Sequence, residues 1–406
     1  LEEKMMKTIA VLGAGNSGKA LAGDAALAGH EVRLWEDEAF AGNIKTLKET
    51  KKIRVNGSQT NIKQFKRDGV GNLSAVTTDM AEAVRGADII AISVVSHAFD
   101  KLIERLVPCL EDGQVVAFFP DNYGSFLLRK HMREVGCDKK IIAGGWSSLP
   151  YGARVTSIDG VNEVFFVYRA VNLRGDTLPS TDRETFFEAM RSFACMDPVD
   201  FIAGDTMLDV NFCNVNPILH VPAVLLNAGA IDNWGIIDPV GDKSEYYSIY
   251  RHAFSPSVSK VQYGIYLEEC EIARKLGVGI QHYDKEVFFS RLGILGPEFM
   301  GEGFVTPLEE NMPDWYRMQY YPGARFTVDN RYVTEDIPVG TKIFYELGKR
   351  CGIRTPLIES MITIGSAVNE IDYFRIGWDL SKLGIDKMSN GELLDYVRTG
   401  AVPISL

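Results

Sequence analysis

The chain has 406 residues, enough for two domains, with 46% hydrophobic and 24% charged residues, as in an ordinary globular protein. The formal net charge is −11 and no lysine–arginine cluster forms a patch, which argues against a nucleic-acid partner. No apolar run reaches the roughly twenty residues that span a bilayer. No signal peptide precedes the first strand and the 6 cysteines form no C-x-x-C pair, so a cytoplasmic protein with free thiols and no membrane partner is expected.

Lys7 to Leu12 is an apolar run, followed at once by Gly13-Ala14-Gly15-Asn16-Ser17-Gly18. An alanine-rich helical pattern covers Lys19 to Ala28, Gly29-His30 turns, and a second apolar run, Glu31 to Trp35, ends in Glu36. Strand, glycine turn, helix, strand and acid in that order describe a dinucleotide site in a doubly wound sheet. Gly13 permits the turn, Gly15 lets backbone approach a pyrophosphate, and Gly18 lets helix and sheet pack closely. Gly13, Gly15, Asn16, Ser17 and Gly18 are the candidate phosphate cradle, at the positive end of a helix. Glu36 can accept from ribose hydroxyls and would repel a 2′-phosphate, so NAD(H) is preferred over NADP(H). The alternative is a glycine turn that binds nothing.

Lys45 to Leu73 is polar and basic and reads as an insertion with short strands. Ser74–Thr77 then reads as a strand and Met80–Arg85 as a helix. Ile89 to Val95 is a continuous apolar strand of the kind buried in parallel sheets. It leads into Ser96 and His97 at the carboxyl edge, where Val95 and Ser96 are further cofactor candidates. A helix over Phe99–Leu106 and strands over Gln114–Phe119, Lys140–Ala143 and Glu163–Tyr168 follow. After about residue 185 helical periodicity dominates: Thr185–Phe193, Thr206–Leu226, Ser257–Leu276, Lys285–Leu292, Thr341–Cys351 and Pro356–Ile371. Gly277 and Gly352 suit left-handed helix caps. Leu295 to Pro338 is loop-rich, and so long a loop usually binds something. The expected architecture is α/β, a Rossmann-type doubly wound sheet over 1–185 followed by an all-helical catalytic domain over 186–406, with the active site in a cleft between them.

Hydride transfer needs a proton manager. Among the 6 histidines, His220 stands out in N-V-N-P-I-L-H-V-P-A-V-L-L, residues Asn214 to Leu226. A histidine in so apolar a helix is often a core residue, but Pro217 and Pro222 each remove a helix hydrogen bond and open the helix around the imidazole. An imidazole suits general acid–base work near neutral pH. Arg331-Tyr332-Val333-Thr334-Glu335-Asp336-Ile337-Pro338 is either a charged helix entry or a functional segment. In the second case Asp336 orients His220 and Arg331 offers a bidentate fork to a substrate carboxylate. No His/Cys/acid group has metal-ligand spacing.

These segments resemble the opine dehydrogenases of the octopine and nopaline dehydrogenase type. The resemblance runs over nearly the whole chain, through G-A-G-N-S-G, N-V-N-P-I-L-H-V-P, F-S-P-S-V, R-Y-V-T-E-D-I-P-V-G and T-P-L-I. It implies a 6-phosphogluconate dehydrogenase-like helical domain and a reductive condensation. The imine of a pyruvate-like 2-oxo acid and an amino acid is reduced by NAD(P)H to an N-(1-carboxyalkyl) amino acid. It also implies that His220 is the catalytic histidine, Asp336 its acidic partner and Arg331 the binder of the oxo acid. The serine-containing loop Trp146 to Tyr151 resembles a family loop near the cleft. A homodimer through the helical domain is expected. A 2-hydroxy acid or hydroxyacyl-CoA dehydrogenase on the same scaffold is the competing enzyme, and a non-catalytic NAD sensor the competing class.

Overall fold

The computed structural model describes residues 6–57, 67–158, 160–234, 236, 247–290, 293–295, 298 and 325–403. The chain divides into two compact units, Leu1–Asn211 with Glu298–Met300 and Met388–Leu406, and Phe212–Pro297 with Gly301–Lys387. The first unit thus runs past the expected boundary at 185 and recruits the C-terminal helix Asn390–Thr399. Ser180 Oγ donates to the Val397 carbonyl at 3.2 Å and Arg133 to the Tyr396 hydroxyl at 2.7 Å, which seats that helix.

An eight-stranded sheet carries the first unit. Its order is β12 (Asp200–Ala203), β11 (Asn172–Thr177), β8 (Ile142–Trp146), β7 (Val115–Phe118), β6 (Ile89–Ile92), β1 (Thr8–Leu12), β2 (Glu31–Trp35), β5 (Ala75–Thr77). From β8 to β5 every pairing is parallel. The reason is visible in β6 and β7, which are apolar and buried at every position. Chain order reverses between β1 and β6, the expected doubly wound arrangement, so the ligand crevice of such a sheet lies at their carboxyl ends. β11 runs antiparallel to β8.

The segment 45–73 does more than the expected insertion. It supplies β3 (Lys52–Asn56) and β4 (Gly69–Asn72), which join β10 (Val161–Arg169) and β9 (Tyr151–Ile158) in a second sheet, ordered β4-β3-β10-β9. Helix α1 (Asn16–Leu27) packs against strands of both sheets, so it is buried nearly all round from Gly18 to Ala25. Small residues are the condition for this. A Cβ on Gly23 would lie 2.8 Å from Ile53, and one on Gly71 would lie 2.6 Å from the Gly23 carbonyl oxygen. The one acid on that buried helix stretch, Asp24, is fully closed to solvent and paired with Arg67 and Arg169.

The regular elements described in the second unit are helical. Its long central helix, Pro256–Leu276, packs against Asn216–Leu225, Lys285–Phe289, Lys342–Cys351 and Pro356–Asn369. The helix over Pro256–Leu276 ends on Gly277 at φ +73°, and that over Lys342–Cys351 on Gly352 at φ +67°, both left-handed caps as expected. Glu268 accepts from the backbone N–H groups of Leu357 and Ile358, placing negative charge at a helix N-terminus. Most of the expected loop Leu295–Pro338 lies outside the described residues.

Candidate active site

The crevice of the first unit is built by backbone. Gly13 follows β1 at φ +107°, and a Cβ there would sit 2.6 Å from the Ser93 carbonyl oxygen at the end of β6. A Cβ on Gly18 would sit 1.7 Å from the Gly13 carbonyl oxygen, so no larger residue fits. Gly15, the N-cap of α1, has nothing within 4 Å of its Cβ direction. No side chain caps this helix and its first turn holds no acid, which leaves its amides and its positive end to an anion.

Glu36 is placed beside this turn. Its Oε2 accepts from the Ala14 N–H at 3.2 Å and from Asn43 Nδ2 at 3.1 Å. Asn16 and Ser17 open α1, but the Asn16 side-chain oxygen already accepts from the Val155 N–H at 3.0 Å, so it joins the helix start to β9. Ser96 is buried and its Oγ accepts from Asn122 Nδ2 at 2.9 Å, while Val95 is half-buried and precedes the short turn Ser96–Ala98. Open Gly15, the uncapped helix and the acid at the end of β2 fit a dinucleotide.

The second group of candidates lies in the helical unit. The run 206–226 is two helices, Met207–Phe212 and Asn216–Leu225, rather than one. Pro217 opens the second, where its missing N–H costs nothing, and Pro222 lies inside without ending it. The expected breaks around the histidine therefore reduce to one, before Asn216.

His220 is 5% exposed and both ring nitrogens are engaged. Nδ1 lies 2.8 Å from Asp336 Oδ2 and Nε2 lies 2.9 Å from the Tyr250 hydroxyl. The Tyr332 ring packs on the imidazole with centroids 4.0 Å apart. The helix Arg331–Thr334 and its continuation explain the pairing: Tyr332 and Asp336 are four residues apart and both meet His220. Arg331 and Glu335 form the neighbouring pair at 3.8 Å, with the Arg331 side chain 57% exposed. Burial pushes the Asp336 carboxyl above its usual range, against the hydrogen bond and charge of His220. Glu335 adds to the rise and Arg331 opposes it. A carboxylate fixed on Nδ1 favours the proton there and turns Nε2 to the Tyr250 hydroxyl.

The family model described as NAD/NADP octopine/nopaline dehydrogenase, alpha-helical domain, matches residues 203–369, which hold His220, Arg331 and Asp336. An opine dehydrogenase of Arthrobacter sp. (strain 1C) is 25% identical over 391 residues, 94% of this chain and 96% of that protein. The chain is thus similar to an opine dehydrogenase over nearly its whole length. It is an NAD(P)-dependent oxidoreductase acting on CH–NH groups. A second model, NAD-dependent glycerol-3-phosphate dehydrogenase N-terminus, matches residues 8–119 and so speaks for the nucleotide half alone. Two solved structures share the fold. An octopine dehydrogenase with NADH and L-arginine has a TM-score of 0.68 at 18% identity, over 98% of this chain and 99% of that one. A yersinopine dehydrogenase with NADP+ has a TM-score of 0.64 at 13% identity, over 97% and 98%.

Three residues beside these groups escape sequence reasoning. Tyr250 sits in a π-helical turn, Ile249–Ala253, within an aromatic-rich run whose composition does not single it out. Lys19, one position past the glycine turn, is buried, and that burial lowers its amine against the opposing charge of Glu36. Asp121 follows β7, accepts from Ser125 and from Asn211 Nδ2 at 2.8 Å, and is raised by burial to about 6. The carboxyl edge of a sheet strand was its one sequence signal.

Proposed function

We propose that this chain joins a pyruvate-like 2-oxo acid to the amine of an amino acid by reducing their imine, and runs the reaction in reverse. NADH, held by the Gly13–Gly18 turn, the start of α1 and Glu36, supplies the hydride. Arg331 binds the oxo acid carboxylate through its planar fork. His220 supplies the proton from its Nε2 side while Asp336 fixes Nδ1 and favours the cation that must be present before transfer. The Asp336–His220 pair carries this reading: a buried imidazole with a carboxylate at 2.8 Å is a built acid–base device.

The cofactor preference follows from charge. Glu36, anchored to the turn by the Ala14 N–H, accepts from ribose hydroxyls and repels a 2′-phosphate. NADH is therefore the working nucleotide.

An NADH-oxidation screen tests this. Amino acids are crossed with pyruvate, oxaloacetate and 2-oxoglutarate, with NADPH in parallel and product masses determined. Oxidation that needs both the amine and the oxo acid, with a product equal to their sum less water plus two hydrogens, is expected. Oxidation by an oxo acid alone would assign simple hydroxy acid formation instead.

A further inference from the structure

Both imidazole nitrogens of His220 are taken, and only one of the two partners is accounted for by an acid–base pair. Asp336 holds Nδ1; the Tyr250 hydroxyl stands on Nε2, the nitrogen that must deliver the proton. A substrate atom can receive that proton in two ways. Either the tyrosine withdraws, or the proton passes through it.

The surroundings of Tyr250 favour passage. Its ring is 7% exposed. It stacks on Phe254 at 16° and meets the Tyr332 ring edge-on at 85°. Tyr332 in turn packs on the imidazole. Withdrawing the phenol would break this aromatic cluster and expose a large apolar ring. Keeping it costs nothing chemically, because a phenol both donates and accepts. It donates to a neutral Nε2 and accepts from a protonated one, so each protonation state of the buried imidazole is satisfied.

We infer that Tyr250 is a catalytic residue, the group through which His220 protonates the substrate nitrogen; this rests on the reading of His220 as the acid. The step is a paired transfer. The Tyr250 O–H bond breaks and its proton goes to the imine nitrogen, whose carbon takes the hydride and both its electrons. The His220 Nε2–H bond breaks and its proton restores the phenol. Imidazolium becomes imidazole, imine becomes secondary amine, and the phenol is unchanged. In reverse the amine proton returns by the same route.

The test uses the full chain, the substrate pair found by the screen, and the variants Tyr250→Phe and His220→Gln. Tyr250→Phe keeps the ring and its stacking, so folding is preserved, as NADH fluorescence titration and thermal melting check. Its single-turnover rate of NADH oxidation is expected to fall about a hundredfold. In mixed H2O and D2O the wild-type rate should curve with isotope fraction, as two moving protons require, while the residual rate of Tyr250→Phe should be linear. Independently of turnover, the 15N resonance of His220 Nε2 should shift on Tyr250→Phe. A Tyr250→Phe rate within about threefold of wild type, or an unmoved Nε2 resonance, overturns the relay and leaves the functional reading standing, provided His220→Gln is impaired. A wild type inert toward every pair, or a fully active His220→Gln, overturns the functional reading and the relay together.

Discussion

At the scale of single residues, the proposed chemistry concentrates on one imidazole held on every side. His220 is buried, its Nδ1 is locked by Asp336 at 2.8 Å, and a tyrosine ring covers its face. On the proposed function, replacing it removes the proton donor without touching the glycine turn proposed for the nucleotide. His220→Gln is expected to lower amine-dependent NADH oxidation by about a hundredfold or more, with NADH affinity in a fluorescence titration unchanged. Equal losses in NADH binding would mean that the imidazole holds the unit together rather than working on the substrate. This pair was legible in the sequence because a histidine between prolines and the R-Y-x-x-E-D spacing are both local patterns. Tyr250 was not, since only the folded chain reveals that, of the neighbouring phenols of Tyr247 and Tyr250, the second reaches Nε2.

At the scale of elements, the Gly13–Gly18 turn depends on contacts closer than any side chain allows. β1, β2 and β6 were readable from the sequence because buried parallel strands are continuous apolar runs, and α1 because its glycines and alanines follow the turn. β3 and β4 were harder. They are short and alternate exposed and buried positions; β3 finds its partner in β10, more than a hundred residues away, and β4 then pairs with β3. β12 (Asp200–Ala203) lies in the stretch read as helical, and its neighbour β11 alone gives it a place in the sheet. The tightest contact yields a prediction. A methyl on Gly18 would overlap the Gly13 carbonyl oxygen, which lies 1.7 Å from its position. Both are backbone or fixed to it, so the turn itself must move. Gly18→Ala is expected to weaken NADH binding about tenfold or more and to destabilise the fold by about 1–3 kcal/mol. Isothermal titration and thermal melting measure the two, and unaltered affinity would show that the turn does not hold the nucleotide.

At the scale of the whole molecule, the buried acids set how stability answers to pH. Asp24 is held below its usual range, because Arg169 and Arg67 outweigh its burial; its contribution is present above the unfolded value of 3.8 and lost as pH falls further. Asp121 and Asp209 are raised by burial to about 6. Glu269 is raised well above 4.5 by burial and by Glu268, and neither of its carboxyl oxygens has a hydrogen-bond partner among the described residues. Raised acids bind protons more tightly in the fold than in the unfolded chain, so what they contribute is full at low pH and drains away as pH rises. The two aspartates lose theirs between about pH 4 and 6, and Glu269 continues beyond. Stability should therefore peak on the acid side of neutrality. Glu269→Gln isolates one of these effects, since glutamine has the shape and polarity of a permanently protonated glutamate. Each pH unit above the unfolded value in which the folded group keeps its proton costs about 1.4 kcal/mol. The variant should match the wild type near pH 4.5 and be the more stable of the two at pH 8, read as a higher melting temperature. A variant no more stable than the wild type at pH 8 would mean that Glu269 ionises freely in the folded chain.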